Sequence, residues 1–595
     1  MTIYGIARKF SSPVTARPGT FIALTLSGAA APIAATVCGG HIYHFLAYAG
    51  TQSAVAAYLL CLLLAAVKSR TVTFITLGLM TCAAIVECCH IIMLSRPVDA
   101  DTISLIRETT ATEATGFFKQ YLSGAVLLET GLFIIAIATC ALIGNRLFNR
   151  IRLRFHDNRA FSIVTAAALA TLIIPGIIGS CTCLSILRVR TYDDLIIWYT
   201  LDDEHPDRAR KYRMEYSDAF TKSVYIAKSL HLENDNIDRW VAIQKDFIAS
   251  APVKAATDSV DIVVIIGESY IKAHSSAYGY RLNTNPALTR EIERGNITMF
   301  HDMITTANFT TQSIRNLLNL NSLCDDQPWY ESLYLPLVMK RAGFSVGLFS
   351  NQYSANDISV GLPALYYPPE ITDRIYDSTA DTCFRYDGIF TEHISRRITA
   401  SAARSFTVWH LMGQHFPAAD RFPASHRRFK ASDITSADYC LTDERRAQVA
   451  DYDNATLYND SVICAIIDLY RHRTACLIYF SDHGEELWDM APFGARNAQY
   501  PDDPEWLHRQ FDIPFFIWLS DKFIAARPET TARIKAAGNR PGMLDNIGQI
   551  VLHVAGIDNH ELYRPQRDIL SDSYKCPPRI TSAGYEYDRI TGHDI

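Results

Sequence analysis

The sequence predicts a two-part protein: about five transmembrane helices, followed by a doubly wound α/β domain. Three observations predict this architecture. Up to about residue 185 the 595-residue chain is dominated by apolar runs, whereas the remainder has a soluble composition. Strand-like and helical segments alternate from about residue 257. Two apolar segments, Asp261–Ser269 and Ala475–Glu486, end abruptly in acidic residues or histidine, as buried parallel strands do when they deliver side chains to a site.

Each of the five apolar runs is close to the roughly 20 residues that cross a bilayer as a helix. The runs are Phe21–Val37, His44–Val67, Val72–Leu94, Tyr121–Ile143 and Phe161–Ser180. Glycines at Gly39–Gly40 and around Gly50–Ser53 interrupt the pattern near the boundary of the first two runs. Five such runs in succession argue against buried helices of a soluble protein. The absence of a clear small-residue cleavage site after the first run argues against a cleaved signal peptide.

Basic residues fix the expected orientation, because they lie before the first run and then in alternate loops. They are Arg8, Lys9, Arg17, Lys68, Arg70, Arg146, Arg150, Arg152, Arg154 and Arg159. Loops rich in lysine and arginine stay in the cytoplasm. With an odd number of spans, everything after about residue 185 then lies outside. In a Gram-negative cell this predicts a multi-pass inner-membrane protein with a periplasmic catalytic domain, and it puts the loop Arg96–Gln120 on the same outer side.

The chain is therefore divided into a transmembrane domain (1–185), an amphipathic linker of interfacial helices (186–255) and an outer α/β domain (256–595). The predicted strands are Ile262–Ile266, Phe344–Phe349, Phe406–Leu411, Cys476–Phe480 and Ile513–Trp518. The predicted helices are Pro286–Gly295, Thr311–Leu320, Pro336–Ala342, Asp387–Ala400 and Thr456–Arg473. The net charge of -6, without a long basic run, argues against a nucleic-acid partner.

The two strand ends predict a metal site. Glu268 follows the first strand, and Asp482 and His483 follow the second. In an open α/β sheet the ligand crevice lies beyond the carboxyl ends of the parallel strands. Two carboxylates and an imidazole are a ligand set that suits Zn²⁺. The alternative is an exposed strand-end acid beside a loop histidine, and the pairing of the two strand ends favours the metal.

Hydroxyl residues precede a predicted helix in Thr305–Leu320 (TTANFTTQSIRNLLNL). A hydroxyl at a helix N-terminus is often an N-cap. It can also be a nucleophile, because the helix end holds a phosphate beside it and a metal lowers the pKa of the hydroxyl. A second candidate, His415, follows Gly413 in Trp409–Pro417 (WHLMGQHFP). It is either a general acid or phosphate ligand, or an exposed loop histidine. His410, within the strand, is predicted to be a core residue.

In combination, these motifs make the chain resemble, over nearly its whole length, the phosphoethanolamine transferases of the alkaline-phosphatase/sulfatase superfamily. Those enzymes modify lipid A or core sugars in Gram-negative bacteria. The resemblance implies an alkaline-phosphatase-like outer domain. The zinc ligands that it implies are Glu268, Thr310, Asp482 and His483. Thr310 matches the family's nucleophile, which becomes phosphoethanolaminated, and His415 matches a histidine thought to contact the phosphate.

The resemblance also implies substrate contacts. Ser313 matches a serine three residues after the nucleophile. In the outer loop, Thr109 and Glu113 match a Thr-x-x-x-Glu pair near the substrate, although the same spacing is found on any exposed helix face. Tyr452–Asp460 (YDNATLYND) also looks similar to the family, in a structural role.

The chain departs from the family in three places. Phe493–Arg496 (FGAR) stands where the family usually has a further histidine, and the nearby His508 is the remaining candidate for that substrate contact. A lysine of lipid A-modifying members is replaced by Asn356, and their dense cysteine framework is missing. The resemblance therefore implies one zinc ion, leaves a second metal open, and suggests a different subgroup with its own acceptor.

The implied reaction is transfer of phosphoethanolamine from phosphatidylethanolamine to lipopolysaccharide or another envelope glycan, through a covalent threonine intermediate, by a monomer that binds membrane lipid. Two alternatives stay open. One is a glycerol-phosphate transferase of the same superfamily, and the other is a non-catalytic membrane-anchored binding or sensor protein. A sulfatase is disfavoured, because Thr310–Arg315 lacks the Cys/Ser-x-Pro-x-Arg pattern of that reaction.

Overall fold

A computed structural model gives the fold of the chain. It describes residues 2–37, 43–94, 122–155, 157–186, 218–255, 259–324, 328–353, 374–378, 384–396, 403–435, 442–488, 503–558 and 561–593, with single residues and short stretches between 97 and 118 and residue 398. The chain forms two compact units. One is built mainly from 1–107 and 118–233, and the other mainly from 234–496 and 500–595. The predicted boundaries at 185 and 255 remain predictions.

The first unit is helical. Its helices are α1 (Ile3–Ala16), α2 (Pro18–Gly28), α3 (Ala30–Val37), α4 (Tyr43–Val67), α5 (Arg70–Leu94), α6 (Gly124–Arg154) and α7 (Asn158–Ile186). Within the described residues, α4 to α7 are long and apolar enough to cross a membrane, and α2 with α3 makes a fifth span only if the pair, bent by 65°, is counted as one. Large apolar side chains such as Leu128 and Phe74 are exposed on these helices, as lipid-facing residues are.

The five predicted spans therefore correspond to four continuous helices and one broken pair. The break falls at Ala29, directly before α3, inside the first predicted run. Apolar composition indicates that a segment prefers lipid, but it does not show where the backbone of that segment bends. Helix α1 and helix α8 (Ala219–Ile248) complete the N-terminal half. Helix α8 lies within the segment 186–255, where the sequence predicts amphipathic helices.

A seven-stranded sheet organises the second unit, in the order β2-β8-β7-β1-β6-β4-β5. Its strands are β1 (Val260–Gly267), β2 (Ile297–Phe300), β4 (Ser345–Tyr353), β5 (Arg374–Ser378), β6 (Arg404–His410), β7 (Ala475–Ser481) and β8 (Phe515–Leu519). A small parallel pair joins β3 (Met303–Ile304) to β9 (Gly542–Met543). Strands β1 and β7 are buried along their whole length, which is why both read as continuous apolar runs.

Helices pack on this sheet. They are α9 (Pro286–Glu293), α10 (Thr310–Leu317), α11 (Leu335–Arg341), α12 (Asp387–Ser395), α13 (Asp443–Tyr470), α14 (Pro504–Phe511), α15 (Asp521–Ala526), α16 (Pro528–Ala537), α17 (Ile547–Val554) and α18 (Tyr587–Thr591). The main core joins side chains of β1, β6, β7 and β8 to the apolar face of α13, for example Val263 and Trp409 with Ile466. Because α13 runs beneath the centre of the sheet, it also reaches the strand ends.

All five predicted strands and all five predicted helices are present, with shifted ends. The largest shift is in α13, which begins at Asp443, capped by the Thr442 side chain, rather than near Thr456. Strands β1, β4, β5, β6 and β7 run parallel, whereas β8 runs antiparallel to β7 and to β2. The sheet is therefore mixed: parallel pairing runs from β7 to the edge strand β5, as predicted for β1 and β7, and antiparallel pairing joins β7, β8 and β2 at the other edge.

Candidate metal and nucleophile site

The two predicted strand ends lie side by side. Strands β1 and β7 are neighbours in the sheet, and their register pairs Gly267 with Ser481. Glu268 and Asp482, one residue further along each strand, therefore leave the same edge together. The backbone N–H of Asp482 donates to Gly267 O at 2.9 Å, which extends the ladder to the first ligand position.

Glu268, Asp482 and His483 form a cluster that could hold a metal ion. One ligand atom from each lies within 4.8 Å of the others, and no other such group of three is found within the described residues. His483 Nε2 is 3.4 Å from Glu268 Oε1 and 3.3 Å from Asp482 Oδ2. All three side chains are buried. Asp482 Oδ2 accepts no hydrogen bond from any described residue, so a buried anionic oxygen is left for a cation.

Backbone contacts orient two of these ligands. Asp482 Oδ1 accepts the N–H groups of Ser269 and His483, at 3.0 and 2.8 Å, which turns Oδ2 toward the cluster. His483 Nδ1 donates to Gly484 O at 2.7 Å. Because a carbonyl can only accept, Nδ1 carries the proton and Nε2 presents a lone pair in the neutral ring. The residues thus fit a zinc ion by ligand type, proximity and orientation.

The electrostatics of the cluster also favour a cation. Burial raises the pKa of Asp482 to about 7, and the adjacent charge of Glu268 acts in the same direction. Burial would raise the pKa of Glu268 as well, but the neighbouring imidazoles of His410 and His483 hold that pKa well below its usual range. Two carboxylates at this separation compete for negative charge, and a divalent ion between them removes the competition.

Thr310 is the first residue of α10, and its hydroxyl faces the cluster. Its Oγ1 lies 3.2 Å from both carboxylate oxygens of Glu268 and 3.3 Å from His483 Nε2. The N-cap of this helix is Phe309, and no side chain caps it by a hydrogen bond. The Thr310 hydroxyl therefore does not cap the helix, which was one of the two roles that the sequence left open. Thr310 Oγ1 lies next to Glu268 and His483 of the cluster, and its predicted roles as a fourth ligand and as the nucleophile remain predictions.

Ser313 and Thr305 lie behind Asp482. The Ser313 hydroxyl donates to Asp482 O at 2.7 Å and contacts Thr305 Oγ1 at 2.9 Å, and Thr305 also donates to Asp482 O. Both side chains are fully buried. These contacts hold the backbone of a ligand, and the predicted contact of Ser313 with substrate remains a prediction.

His415 lies on a loop that a buried aspartate holds against Glu268. Asp387, the first residue of α12, accepts the N–H groups of Met412 and Gly413 at 3.0 and 2.8 Å. Gln414 N donates to Glu268 O at 3.0 Å. Gly413 has a φ of +51°, and a Cβ there would lie 2.8 Å from the backbone of Glu268. His415 Nδ1 donates to Phe416 O at 2.9 Å, so Nε2 is the ring nitrogen at which His415 can give or take up a proton.

The Tyr452–Asp460 stretch braces the site from α13. The Tyr452 hydroxyl donates to Ser269 O at 2.6 Å and accepts Ile271 N–H at 2.7 Å. Asn459 donates to Gln414 Oε1 at 3.1 Å. The helix thus fixes both the segment after Glu268 and the loop that carries His415, which is the structural role expected of it.

Among the remaining predicted substrate contacts, the structure describes only His508. His508, on α14, contacts Tyr587 Oη at 2.8 Å and Asp512 Oδ2 at 3.3 Å, and the hydrogen bond with Asp512 raises the pKa of its ring. Thr109 and Glu113 lie outside the described residues. The substrate contacts assigned to these three residues remain predictions.

Sequence reasoning missed two neighbours of Glu268. Gln352 Nε2, near the end of β4, donates to Glu268 Oε2 at 3.3 Å and to Leu411 O at 2.8 Å. His410, expected to be a plain core residue, is fully buried but has its Nε2 3.8 Å from the same carboxylate oxygen. The sequence feature that could have identified them is their position. Both lie at the carboxyl end of a strand that is one or two strands from β1 in the sheet.

The chain is similar to known proteins in sequence and in fold. Residues 261–557 match the family model described as Sulfatase. The chain is 22% identical over 515 residues to phosphoethanolamine transferase EptC of Escherichia coli K12, covering 86% of this chain and 84% of that protein. It is 27% identical over 277 residues to phosphoethanolamine transferase EptA of Helicobacter pylori, covering 44% of this chain and 48% of that protein. The integral membrane lipooligosaccharide phosphoethanolamine transferase A of Neisseria meningitidis has the same fold over 94% of this chain and 99% of that one, with a TM-score of 0.56 and 18% identity.

Proposed function

We propose that this chain, a transferase whose residues 261–557 form a sulfatase-family domain, moves phosphoethanolamine from phosphatidylethanolamine to lipopolysaccharide. Within lipopolysaccharide the acceptor is lipid A or a core sugar, and the alternative acceptor is another envelope glycan. The observation that carries the proposal is the Thr310 hydroxyl, which lies 3.2–3.3 Å from Glu268 and His483 at the start of a helix. A hydroxyl at a helix start that is aimed into a buried ligand cluster is the arrangement of an activated nucleophile.

Glu268, Thr310, Asp482 and His483 would hold the zinc ion. When bound, zinc lowers the pKa of the threonine hydroxyl and offsets the charge of the phosphate. The remaining residues do the positioning. Ser313 and Thr305 hold the Asp482 backbone, and Tyr452 holds the segment after Glu268.

In the first half-reaction the Thr310 hydroxyl loses its proton to solvent, and its Oγ attacks phosphorus in phosphatidylethanolamine. The Oγ–P bond forms and the bond from phosphorus to the diacylglycerol oxygen breaks. The leaving oxygen takes up a proton to give diacylglycerol, and we assign that proton transfer to His415, whose Nδ1 is fixed on Phe416 O. A phosphoethanolamine-threonine ester remains. In-line positioning contributes most of the rate in such transfers.

In the second half-reaction an acceptor hydroxyl or phosphate oxygen attacks the same phosphorus. Its new O–P bond forms as the Thr310 Oγ–P bond breaks. A hydroxyl acceptor gives its proton to His415, and the released Thr310 Oγ takes up a proton from solvent. The four to five apolar helices put the enzyme in the membrane that holds its lipid donor. We assign it to the inner membrane as a monomer with a periplasmic catalytic domain.

Lipopolysaccharide from cells tests the acceptor. A host that lacks the gene is complemented with the wild type or with Thr310→Ala, and lipid A and core are examined by mass spectrometry. We expect phosphoethanolamine only with the wild type. If lipid A phosphates are the acceptor, the added amine makes the surface less anionic and lowers sensitivity to polymyxin. Modified lipopolysaccharide in the Thr310→Ala strain would rule out the nucleophile. Unmodified lipopolysaccharide with both proteins would rule out this acceptor class.

A further inference from the structure

We propose that His410 is a positioning residue for the metal ligand Glu268. In the metal-loaded protein its Nε2–H donates to Glu268 Oε2, and this hydrogen bond fixes which carboxylate oxygen faces the ion. The inference rests on the proposed metal site. Because His410 acts through Glu268, it is not a catalytic residue.

His410 is an orphaned polar side chain in the middle of the sheet. It ends β6, where it pairs with Ile266 of β1 and Ser350 of β4. Its side chain is fully buried, and neither ring nitrogen makes a hydrogen bond with any described residue. Burying an imidazole without partners disfavours folding, and an apolar residue of similar shape would avoid that cost. An unsatisfied group at such a position calls for a role outside the metal-free fold.

Thr310 Oγ1 lies 3.2 Å from both oxygens of Glu268, but the other neighbours of the two oxygens differ. Oε1 accepts the Ser269 hydroxyl at 2.9 Å and lies 3.4 Å from His483 Nε2. Oε2 accepts Gln352 Nε2 at 3.3 Å and lies 3.8 Å from His410 Nε2. We therefore assign Oε1, which faces His483, to the metal. Oε2, which faces His410, is the oxygen that the supporting side chains hold.

The 3.8 Å separation is about 1 Å longer than a charge-assisted N–H···O bond. A small rotation of the carboxylate or the ring closes it. Gln352 does not make His410 redundant, since Gln352 is held by Leu411 O at 2.8 Å and reaches Glu268 only at 3.3 Å. Carboxylates that bind metal are generally hydrogen-bonded at their outer oxygen, and such outer partners tune metal affinity.

Zinc affinity of the full-length protein in detergent tests the inference. The wild type, His410→Phe, His410→Gln and His410→Asn are stripped of metal and titrated with Zn²⁺ against a competing chelator. We expect His410→Phe to weaken zinc binding by about 10- to 100-fold. His410→Gln places an N–H donor at the Nε2 position and restores most of the affinity, whereas His410→Asn, with its amide nitrogen at the Nδ1 position, does not.

Two further readouts separate positioning from folding. The thermal midpoint of metal-free His410→Phe should stay close to that of the wild type, because neither ring nitrogen of His410 makes a hydrogen bond with any described residue in the metal-free fold. The visible spectrum of the cobalt-loaded protein should change in His410→Phe and return toward wild type in His410→Gln.

Equal zinc affinity in the wild type and His410→Phe would overturn the inference. Should His410→Phe fail to fold, equal affinities of His410→Gln and His410→Asn would overturn it instead. A wild-type protein that is folded but binds no zinc would remove the metal site itself, and with it the proposed function. That outcome is distinct from failure of the His410 role alone.

Discussion

Thr310 differs from the hydroxyl residues around it in what its side chain faces. Thr305 and Ser313 donate to the backbone oxygen of Asp482, so their hydroxyls are used structurally. Thr310 Oγ1 instead faces the carboxylate of Glu268 and Nε2 of His483. Sequence could narrow the nucleophile to a helix start, but only the neighbours of each hydroxyl distinguish a chemical role from a structural one.

Gly413 allows the His415 loop to approach Glu268 closely. Gly413→Ala would put a residue with a Cβ at a φ of +51° and a Cβ 2.8 Å from the Glu268 backbone. We expect a loss of about 2–4 kcal/mol in the free energy of unfolding, from backbone strain and overpacking together. Because the strain falls on a metal ligand, zinc affinity should also decrease. Denaturant unfolding and zinc titration of the purified protein measure the two effects.

Gly279 is the matched control for Gly413. It also has a positive φ, of +100°, but a Cβ there would meet nothing within 4 Å. Gly279→Ala should therefore cost about 1–2 kcal/mol from backbone strain alone and leave zinc affinity unchanged. Equal zinc affinity in the two alanine variants would show that the contact between Gly413 and Glu268 does not matter for the ligand.

Among the site residues, the sequence predicted those that end strands β1 and β7, and it missed those that support them. Glu268, Asp482 and His483 were predictable, because an apolar run that stops abruptly at acidic residues is typical of a buried strand that ends at a ligand site. Gln352, His410 and Asp387 were not, because each acts on a residue far away in the chain. A lone buried histidine or glutamine in a strand has the same sequence pattern whether or not it supports a ligand.

At the scale of elements, the adjacency of β1 and β7 makes the site, since it brings residues 214 positions apart to one edge. Apolar periodicity predicted both strands, but it carries no strand direction. The antiparallel course of β8 therefore could not be predicted from it. The same limit applies to the bend between α2 and α3, because apolar composition continues through the break.

A buried ion pair ties helix α8 to helix α5. Lys222 Nζ contacts Glu87 Oε1, with side chains that are 4% and 12% exposed, and Val98 N donates to Glu87 Oε2 at 3.2 Å. Lys222→Met would leave the Glu87 carboxylate buried without its cation. We expect a loss of about 3–5 kcal/mol in the free energy of unfolding, measured in detergent by denaturant titration.

Two control variants test whether the loss of stability in Lys222→Met comes from the broken ion pair. The double variant Glu87→Gln with Lys222→Met removes both charges and should be less destabilised than Lys222→Met alone. Lys245→Met changes an exposed lysine of the same helix and should shift stability by no more than about 0.5 kcal/mol. A Lys222→Met protein as stable as the Lys245→Met protein would mean that this pair does not hold the two helices together.

At the scale of the whole molecule, each of the two units meets one requirement of the proposed phosphoethanolamine transfer. In the proposed reaction a lipid donor is presented at a membrane surface, and the helices that are long and apolar enough to cross a membrane would keep the enzyme there. The sulfatase-family domain supplies the ligand cluster and the hydroxyl. The alternatives left by the sequence, a glycerol-phosphate transferase and a non-catalytic sensor, share the first unit and differ in what happens at Thr310.

The central claim is best tested by intact-protein mass spectrometry of the full-length chain after incubation with phosphatidylethanolamine, with and without a zinc chelator. Phosphatidylglycerol serves as the second donor, and fragmentation locates any adduct. The account predicts a phosphoethanolamine adduct on Thr310 that is absent with chelator and absent with phosphatidylglycerol. A glycerol-phosphate adduct, or no adduct on a folded, zinc-loaded protein, would contradict it.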